Sequence, residues 1–170
     1  TVQKVFQLDP ADMSKVAESI SYGSYIYALA ADASHIYCGG LTVRKVFQLD
    51  PADMSKVSES KGYGGTISDL AVDDDYIYCG GETTRKVWKI DPADMSKVSE
   101  SEDYGGTIYA LAADASHIYC GGYTTGRVWR IDPSDMSKVA ESISYGGWIL
   151  AVAVDDDYIY CGGLTVQKVF

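Results

Sequence analysis

The chain has 170 residues, of which 46% are hydrophobic and 22% charged, a composition typical of a packed domain rather than a disordered segment. Its 24 acidic and 14 basic residues give a formal net charge of −10. That balance argues against nucleic acid or an anionic membrane as a partner, because both need clustered basic residues. No apolar run reaches the length of a membrane-spanning helix, and the first residues show no signal-peptide pattern. We therefore expect a soluble protein, whose cellular location the composition does not specify.

A repeat of 41 residues runs through the whole chain without insertion or deletion. It is clearest in the string that ends in Asp-Pro, which begins at Lys4, Lys45, Lys86 and Arg127 and starts again at Lys168. A fixed period in this range is typical of solenoids, propellers and other repeat arrays. Because no linker composition interrupts it, we predict a single repeat domain over residues 1–170.

Each repeat predicts four short strands in chain order. In the unit that starts at Tyr104, they are residues 107–112, 118–121, 127–131 and 138–141. Val, Ile, Tyr and Trp dominate these runs, and Gly, Pro or Asp separates them, as in all-β proteins. The Asp-Pro-Ser-Asp segment at 132–135 predicts a tight turn between the third and fourth strands. No helical periodicity persists for ten residues, so we predict an all-β fold.

The characteristic strings of one repeat occur in an order that resembles a known family of folds. Ala-Leu-Ala-x-Asp is followed by Ile-Tyr-Cys-Gly-Gly and then by Lys-Val-Trp-Lys-Ile-Asp-Pro. Over the whole chain, this unit resembles the short-bladed β-propellers of the YVTN, quinoprotein-like and WD-repeat group. Lys89 and Arg130 follow Trp88 and Trp129, where a WD-repeat blade normally has Asp. The resemblance implies a β-propeller of four-stranded antiparallel blades, with four 41-residue repeats in the chain.

The two ends of the chain carry the same six residues. Residues 1–6 and 165–170 both read Thr-Val-Gln-Lys-Val-Phe and fall in the predicted third strand. The start would supply the third and fourth strands of a blade, and the end its first, second and third. We expect such ends to combine in one blade, because that removes an unpaired edge. The favoured arrangement is a homodimer that closes one eight-bladed ring; a single four-bladed ring and a segment of a longer array are the alternatives.

The four cysteines occupy one equivalent position in each repeat, at Cys38, Cys79, Cys120 and Cys161. Equivalent positions in neighbouring repeats rarely approach within disulfide distance, and no Cys-x-x-Cys pair indicates a metal or redox site. We therefore predict small, buried, reduced residues, which lean weakly towards an intracellular setting. No cofactor and no metal site is predicted.

Other candidate chemistry is better explained by turns. The acidic runs at 73–75 and 155–157 are too short and too splayed for a calcium site, so we interpret them as turn-forming. His35 and His117 stand where the other two repeats have tyrosine, which does not suit a catalytic base in a unique pocket. An active site usually breaks internal symmetry, and this chain barely does so. We predict no catalytic residue and no enzyme.

Differences between the repeats concentrate before the first strand and after the second. In a propeller these two loops lie on the same face, so the variation should surround one mouth of the central channel. Aromatic side chains there could stack on sugars or anchor a protein. The predicted ligand or partner contacts are Tyr22, Tyr25, Tyr63, Glu82, Tyr104, Tyr123, Tyr145 and Trp148. Packing between blades is the alternative, above all for the four tyrosines that recur in every repeat.

These features together predict a non-enzymatic propeller that acts as a binding or assembly scaffold. Its expected partners are a second copy of the chain and a protein or glycan ligand. One alternative is a multivalent lectin with one sugar site per blade. Another is a purely structural, amplified or engineered repeat fragment that self-assembles. A quinoprotein-like enzyme is the remaining alternative, and it would need an asymmetric pocket with several charged groups.

Overall fold

The computed structural model describes residues 3–41, 44–123 and 126–164, and these ranges form β-strands, turns and loops. The chain opens with β1 (Phe6–Leu8) and β2 (Lys15–Glu18). Three sets of four strands follow: β3 (Ile26–Ala31), β4 (Ile36–Gly40), β5 (Phe47–Leu49), β6 (Lys56–Glu59); β7 (Ile67–Val72), β8 (Ile77–Gly81), β9 (Trp88–Ile90), β10 (Lys97–Glu100); β11 (Ile108–Ala113), β12 (Ile118–Gly122), β13 (Trp129–Ile131), β14 (Lys138–Glu141). The last strands are β15 (Ile149–Val154) and β16 (Ile159–Gly163). Over these ranges no helix is long and apolar enough to cross a membrane.

Each set of four strands is an antiparallel sheet in which neighbours in sequence pair with each other. The predicted strands of the third repeat are confirmed to within two residues. The third strand begins later than predicted because the Val128 N–H donates to the Ser142 hydroxyl (3.0 Å). That serine side chain takes the place of a ladder bond at the end of the strand pair.

The sheets stand side by side in the manner of propeller blades. The first strand of each sheet contacts that of the next, β3 with β7, β7 with β11 and β11 with β15. Between the second and third sheets, Tyr78 and Val87 pack into one buried cluster with Leu111 and Ile118. A Cβ added at Gly80 would lie 2.7 Å from Ile108 Cγ2, so glycine is needed where these sheets approach. The predicted β-propeller architecture is confirmed.

The predicted Asp-Pro turn between the third and fourth strands is present, with one feature that the sequence did not reveal. Asp50 Oδ1 accepts a hydrogen bond from the Ala52 N–H (2.7 Å), and the Asp50 carbonyl accepts one from the Met54 N–H (2.8 Å). Met54 has a φ of 62°, a left-handed conformation that costs about 1–2 kcal/mol for a non-glycine residue. Its side chain is buried in the core beside Leu49, and this burial offsets the strain.

The structure also confirms that the cysteines are buried and that the acidic run at 73–75 forms a turn. All four cysteines are free and buried. Burial raises the pKa of the Cys120 thiol to about 12, which leaves it unreactive at neutral pH. Asp73 Oδ1 accepts hydrogen bonds from the N–H groups of Asp75 and Tyr76, and its Oδ2 accepts one from the Tyr78 hydroxyl (2.6 Å). The described residues contain no cluster of three or more side chains placed to hold a metal ion.

The two ends of the described chain form half-sheets. Among the residues that the structure describes, β1 and β2 pair only with each other, as do β15 and β16. No contact joins the two half-sheets within the described ranges, so those residues do not close a four-bladed ring from a single chain. The duplicated segment 165–170 lies outside the described residues. Closure of a ring by two chains stays a prediction.

Candidate functional site

The variable positions of the four repeats lie next to each other, as the propeller geometry predicts. In each repeat, the residue after the second strand donates its N–H to the carbonyl of the residue before the first strand, at 2.9–3.2 Å. We call these eight residues the variable rim: Tyr25, Leu41, Thr66, Glu82, Thr107, Tyr123, Trp148 and Leu164. In every repeat, the two divergent residues are hydrogen-bonded to each other. The sequence differences therefore lie together on one edge of the molecule.

An exposed aromatic pair occupies the rim between the third sheet and β15. The rings of Tyr123 and Trp148 meet edge to face, with centroids 4.8 Å apart. Tyr109, on the first strand of the third sheet, lies 6.1 Å from the same indole. Tyr123 and Trp148 remain 45% and 40% exposed, so the pair is held in place while presenting ring surface to solvent. Glu82, one repeat earlier on the rim, is also exposed.

A second aromatic pair lies at the other end of the rim. Tyr25 and Tyr27 stack with their rings 6.0 Å apart and nearly parallel, and both are exposed. Their strand belongs to the first complete sheet, which follows the half-sheet β1–β2. Part of their exposure therefore arises because, in the described residues, no first or second strand of that half-sheet stands beside them.

Two of the four recurring tyrosines are buried and do not present a ring to a partner. Tyr63 and Tyr104 are each 1% exposed. The Tyr63 hydroxyl donates to the Lys86 carbonyl (2.6 Å), and its ring meets Trp88 edge to face at 5.0 Å. Tyr104 makes the equivalent edge-to-face contact in the next repeat. These tyrosines follow the packing alternative, because each side chain fills the space between two sheets.

The other two recurring tyrosines are partly buried by the same kind of packing. The ring centroids of Tyr22 and Phe47 lie 4.5 Å apart, and burial raises the pKa of the Tyr22 hydroxyl to about 12. Tyr145 packs against a cluster that contains Val128 and Ile149. Of the predicted contact residues, Tyr25, Glu82, Tyr123 and Trp148 are exposed on the rim.

Sequence comparison among the repeats overlooked Asp69, the one acidic residue on a first strand in the described ranges. It stands where the other repeats have Ala28, Ala110 and Ala151. Its Oδ1 accepts a hydrogen bond from the Leu70 N–H (2.9 Å), and its Oδ2 accepts one from the Leu111 N–H (2.7 Å) of the next sheet. Burial raises the pKa of this carboxyl. The replacement of alanine by aspartate was the available signal, and the structure shows that it joins the second sheet to the third.

The chain matches no family model and no curated protein. Among solved structures, it is similar to the computationally designed Ika4 protein, with a TM-score of 0.79 and 16% identity over 92% of this chain and 97% of that one. The designed Ika8 protein matches with a TM-score of 0.79 and 15% identity over 91% of this chain and 48% of that one. The WD40 repeats of RRP9 match with a TM-score of 0.76 and 13% identity over 85% of this chain and 46% of that one.

This chain thus spans about half the length of the Ika8 and RRP9 chains, and nearly all of Ika4. Identities this low carry information about the fold alone. The structural similarity and the repeated four-stranded sheets together show that the chain is a β-propeller repeat protein whose blades resemble WD repeats.

Proposed function

We propose that this protein is a non-enzymatic propeller scaffold that binds a protein partner through the variable rim. The observation that carries the proposal is the aromatic pair of Tyr123 and Trp148. These two residues diverge from their counterparts in other repeats, contact each other and keep nearly half of their surface exposed. Pre-positioned aromatic side chains are the commonest anchors of protein interfaces, because they bury a large area at a small cost in conformational entropy.

The charges of the rim suggest the chemistry of the partner. Glu82 is exposed on the rim, and the chain carries a formal net charge of −10. A partner segment with an apolar or aromatic side chain for Trp148 and a lysine or arginine for Glu82 would match both features. The net charge would also speed the encounter with a basic partner at low ionic strength.

The lectin alternative is less well supported. One sugar site per blade would need the recurring tyrosines to be exposed, and the burial of Tyr63 and Tyr104 counts against that. Catalysis has little support as well, because Asp69, the acidic residue that replaces alanine on a first strand, already accepts a backbone hydrogen bond at each of its carboxylate oxygens. A purely structural role remains the alternative to a binding role.

The proposal can be tested by selecting peptides on the rim and then removing its rings. A random peptide library displayed on phage is selected on the native protein, and the affinities of the enriched peptides are measured. The rim variant combines Tyr25→Thr, Tyr123→Leu and Trp148→Thr, each of which restores a residue found at that position in another repeat. The control is Tyr158→His, which removes an exposed ring outside the rim and restores the histidine of the first and third repeats.

We expect the rim variant to lose at least about 10-fold in peptide affinity, since an aromatic anchor contributes more than about 1 kcal/mol, while the control keeps native affinity. Equal binding to the native protein and the rim variant would refute the proposal. Glycan-array binding at about one sugar per repeat would favour the lectin, and failure to select any peptide or glycan would favour a purely structural role.

A further inference from the structure

We infer that two copies of this chain complete each other, the half-sheet β1–β2 of one copy adding to the half-sheet β15–β16 of the other. In the described residues, the first half-sheet consists of a third and a fourth strand, and the last consists of a first and a second; residues 165–170, which repeat residues 1–6, lie outside them. Together they have the strand content of one complete sheet. This inference is independent of what the variable rim binds.

The register of the complete sheets transfers directly to the joint. In each of them, the cysteine of the second strand pairs with the aromatic residue of the third, and the preceding isoleucine pairs with a leucine or isoleucine. Strands β16 and β1 carry the same residue types at these positions. The register places Cys161 opposite the second copy's Phe6, and Ile159 opposite the second copy's Leu8.

The apolar side chains of the first half-sheet lack the cover that their equivalents have. Phe6, Leu8 and Met13 are 51%, 45% and 66% exposed. The equivalent residues of the first complete sheet are 7%, 0% and 1% exposed, and they are Phe47, Leu49 and Met54. Exposed apolar residues on an unpaired strand favour association with another strand.

A cavity on the last half-sheet lies where such side chains belong. It has a volume of about 540 Å³ and lies between the third complete sheet, at Val128 and Arg130, and β16, at Ile159 and Cys161. Between the second and third sheets, the corresponding space is filled by three side chains of the third sheet. They are Trp129, Ile131 and Met136, the equivalents of Phe6, Leu8 and Met13.

The side chain of Arg130, which lines this cavity, also lacks the hydrogen-bond acceptor that its equivalents have. The side chains of Gln7, Gln48 and Lys89 each donate to the carbonyl of the proline 44 residues later, in the following sheet, at 2.8–3.1 Å. Arg130 stands at the next equivalent position, and its Nε is buried without a hydrogen-bond partner. In the joined sheet, the carbonyl that meets Arg130 is that of the second copy's Pro10.

The opposite side of the joint shows the same complementarity. Leu29, on the first strand of the first complete sheet, is 55% exposed, whereas its equivalents Leu70 and Leu111 are 5% exposed. Leu111 is covered by a cluster that includes Tyr78 of the preceding sheet. The equivalent of Tyr78 in the last half-sheet is Tyr160, which is itself exposed. The joint would place Tyr160 of the second copy over Leu29.

The position where neighbouring sheets approach most closely is a glycine, and in the last half-sheet this glycine has no described isoleucine beside it. Cβ atoms added at Gly39, Gly80 and Gly121 would lie 2.5–2.8 Å from an isoleucine Cγ2 of the next sheet. At the equivalent Gly162, no described residue lies within 4 Å of an added Cβ. The isoleucine that completes this pattern is the second copy's Ile26. Two reciprocal joints would leave no half-sheet unpaired and would close a ring of eight blades with two-fold symmetry.

The native mass of the chain and of two glycine variants tests this inference. We expect the native protein to have twice the chain mass of 18.4 kDa by native mass spectrometry. Gly162→Val should raise the dimer dissociation constant about 10²- to 10⁴-fold, because overpacking costs about 1–3 kcal/mol at each of the two joints. Gly62→Val is the control, since its Cβ also meets open space but lies on a loop away from the joint. Circular dichroism should show that both variants keep the β-sheet signal.

A second experiment tests the register directly. Copies with Gln7→Cys are mixed with copies with Tyr160→Cys, two positions that the register places opposite each other. Oxidation should link the two kinds of copy, while the shifted combination of Gln7→Cys with Tyr158→Cys should not link. A native mass of 18.4 kDa, a dimer unaffected by Gly162→Val, or equal linking of both combinations would overturn the inference.

Discussion

Replacing Asp69 by alanine should destabilise the protein by an amount that depends on pH in an unusual direction. The substitution restores the residue of the other three repeats, and Ala28 and Ala110 are buried there without strain, so the backbone should tolerate it. What is lost is the pair of hydrogen bonds from the N–H groups of Leu70 and Leu111. At about 0.5–1.5 kcal/mol each, the two bonds contribute about 1–3 kcal/mol while the carboxyl is protonated.

Burial raises the folded-state pKa of Asp69 above its ordinary value of 3.8, because desolvation disfavours the charged form. The folded state therefore holds this proton more tightly than the unfolded state. The stability that Asp69 contributes is fully present below pH 3.8 and falls as the pH rises through its folded-state pKa. We expect Asp69→Ala to cost most near pH 3.5 and less at pH 7, although the carboxylate at pH 7 accepts the same two bonds.

Urea unfolding followed by the fluorescence of Trp88 and Trp129, from pH 3.5 to 7, measures this cost at each pH. Asp69→Asn provides the control: the two variants lack the titrating group, so their free energies of unfolding should differ by a constant over this range. A cost of Asp69→Ala that grows as the pH rises would refute the reasoning, because it would mean that the folded protein stabilises the charged carboxylate.

Three further substitutions test the packing and the surface charges by urea unfolding. Cys79→Ser should lower the free energy of unfolding by about 1–3 kcal/mol, because it buries a hydroxyl in an apolar site, and an unchanged value would contradict the core position of this side chain. Tyr63→Phe should lower it by about 1 kcal/mol through loss of the bond to the Lys86 carbonyl, and a neutral result would show that this bond adds nothing. Hydrogen bonds from Lys86 and Lys97 lower the pKa of Glu100, so its contribution is present above pH 4.5 and is lost as the pH falls through its folded-state pKa. The Glu100→Gln variant should therefore lose less stability than the native protein between pH 6 and pH 3, and an equal loss in both would contradict this assignment.

Much of the fold could be predicted because the information is local and is repeated four times. The Asp-Pro turn at Asp50 follows from residues that touch within one turn, and the strand at 138–141 was predicted with the boundaries that β14 has. The left-handed conformation of Met54 was missed, because methionine does not favour it. The core that buries its side chain, and so stabilises this conformation, lies outside the turn.

The candidate site was less predictable, since burial depends on the neighbouring sheet. Tyr63 and Tyr123 look equally suitable as contact residues in the sequence, yet the first is buried and the second is exposed. Asp69 could have been noticed as a departure from alanine, but its role depends on the Leu111 N–H, 42 residues away. Periodicity carries no information about such pairings between repeats.

The amino-acid sequence alone was enough to establish the 41-residue repeat, the four strands of each blade, the turn between the third and fourth, and the burial of the cysteines. The environment of each blade depended on the packing of one sheet against the next. Phe6 and Phe47 lie in the same string of seven residues, from Lys to Pro, yet one is 51% exposed and the other 7%. The reason is physical: a residue is buried by the side chains that cover it, and in this protein those belong to another strand, another repeat or, as we infer, another copy of the chain.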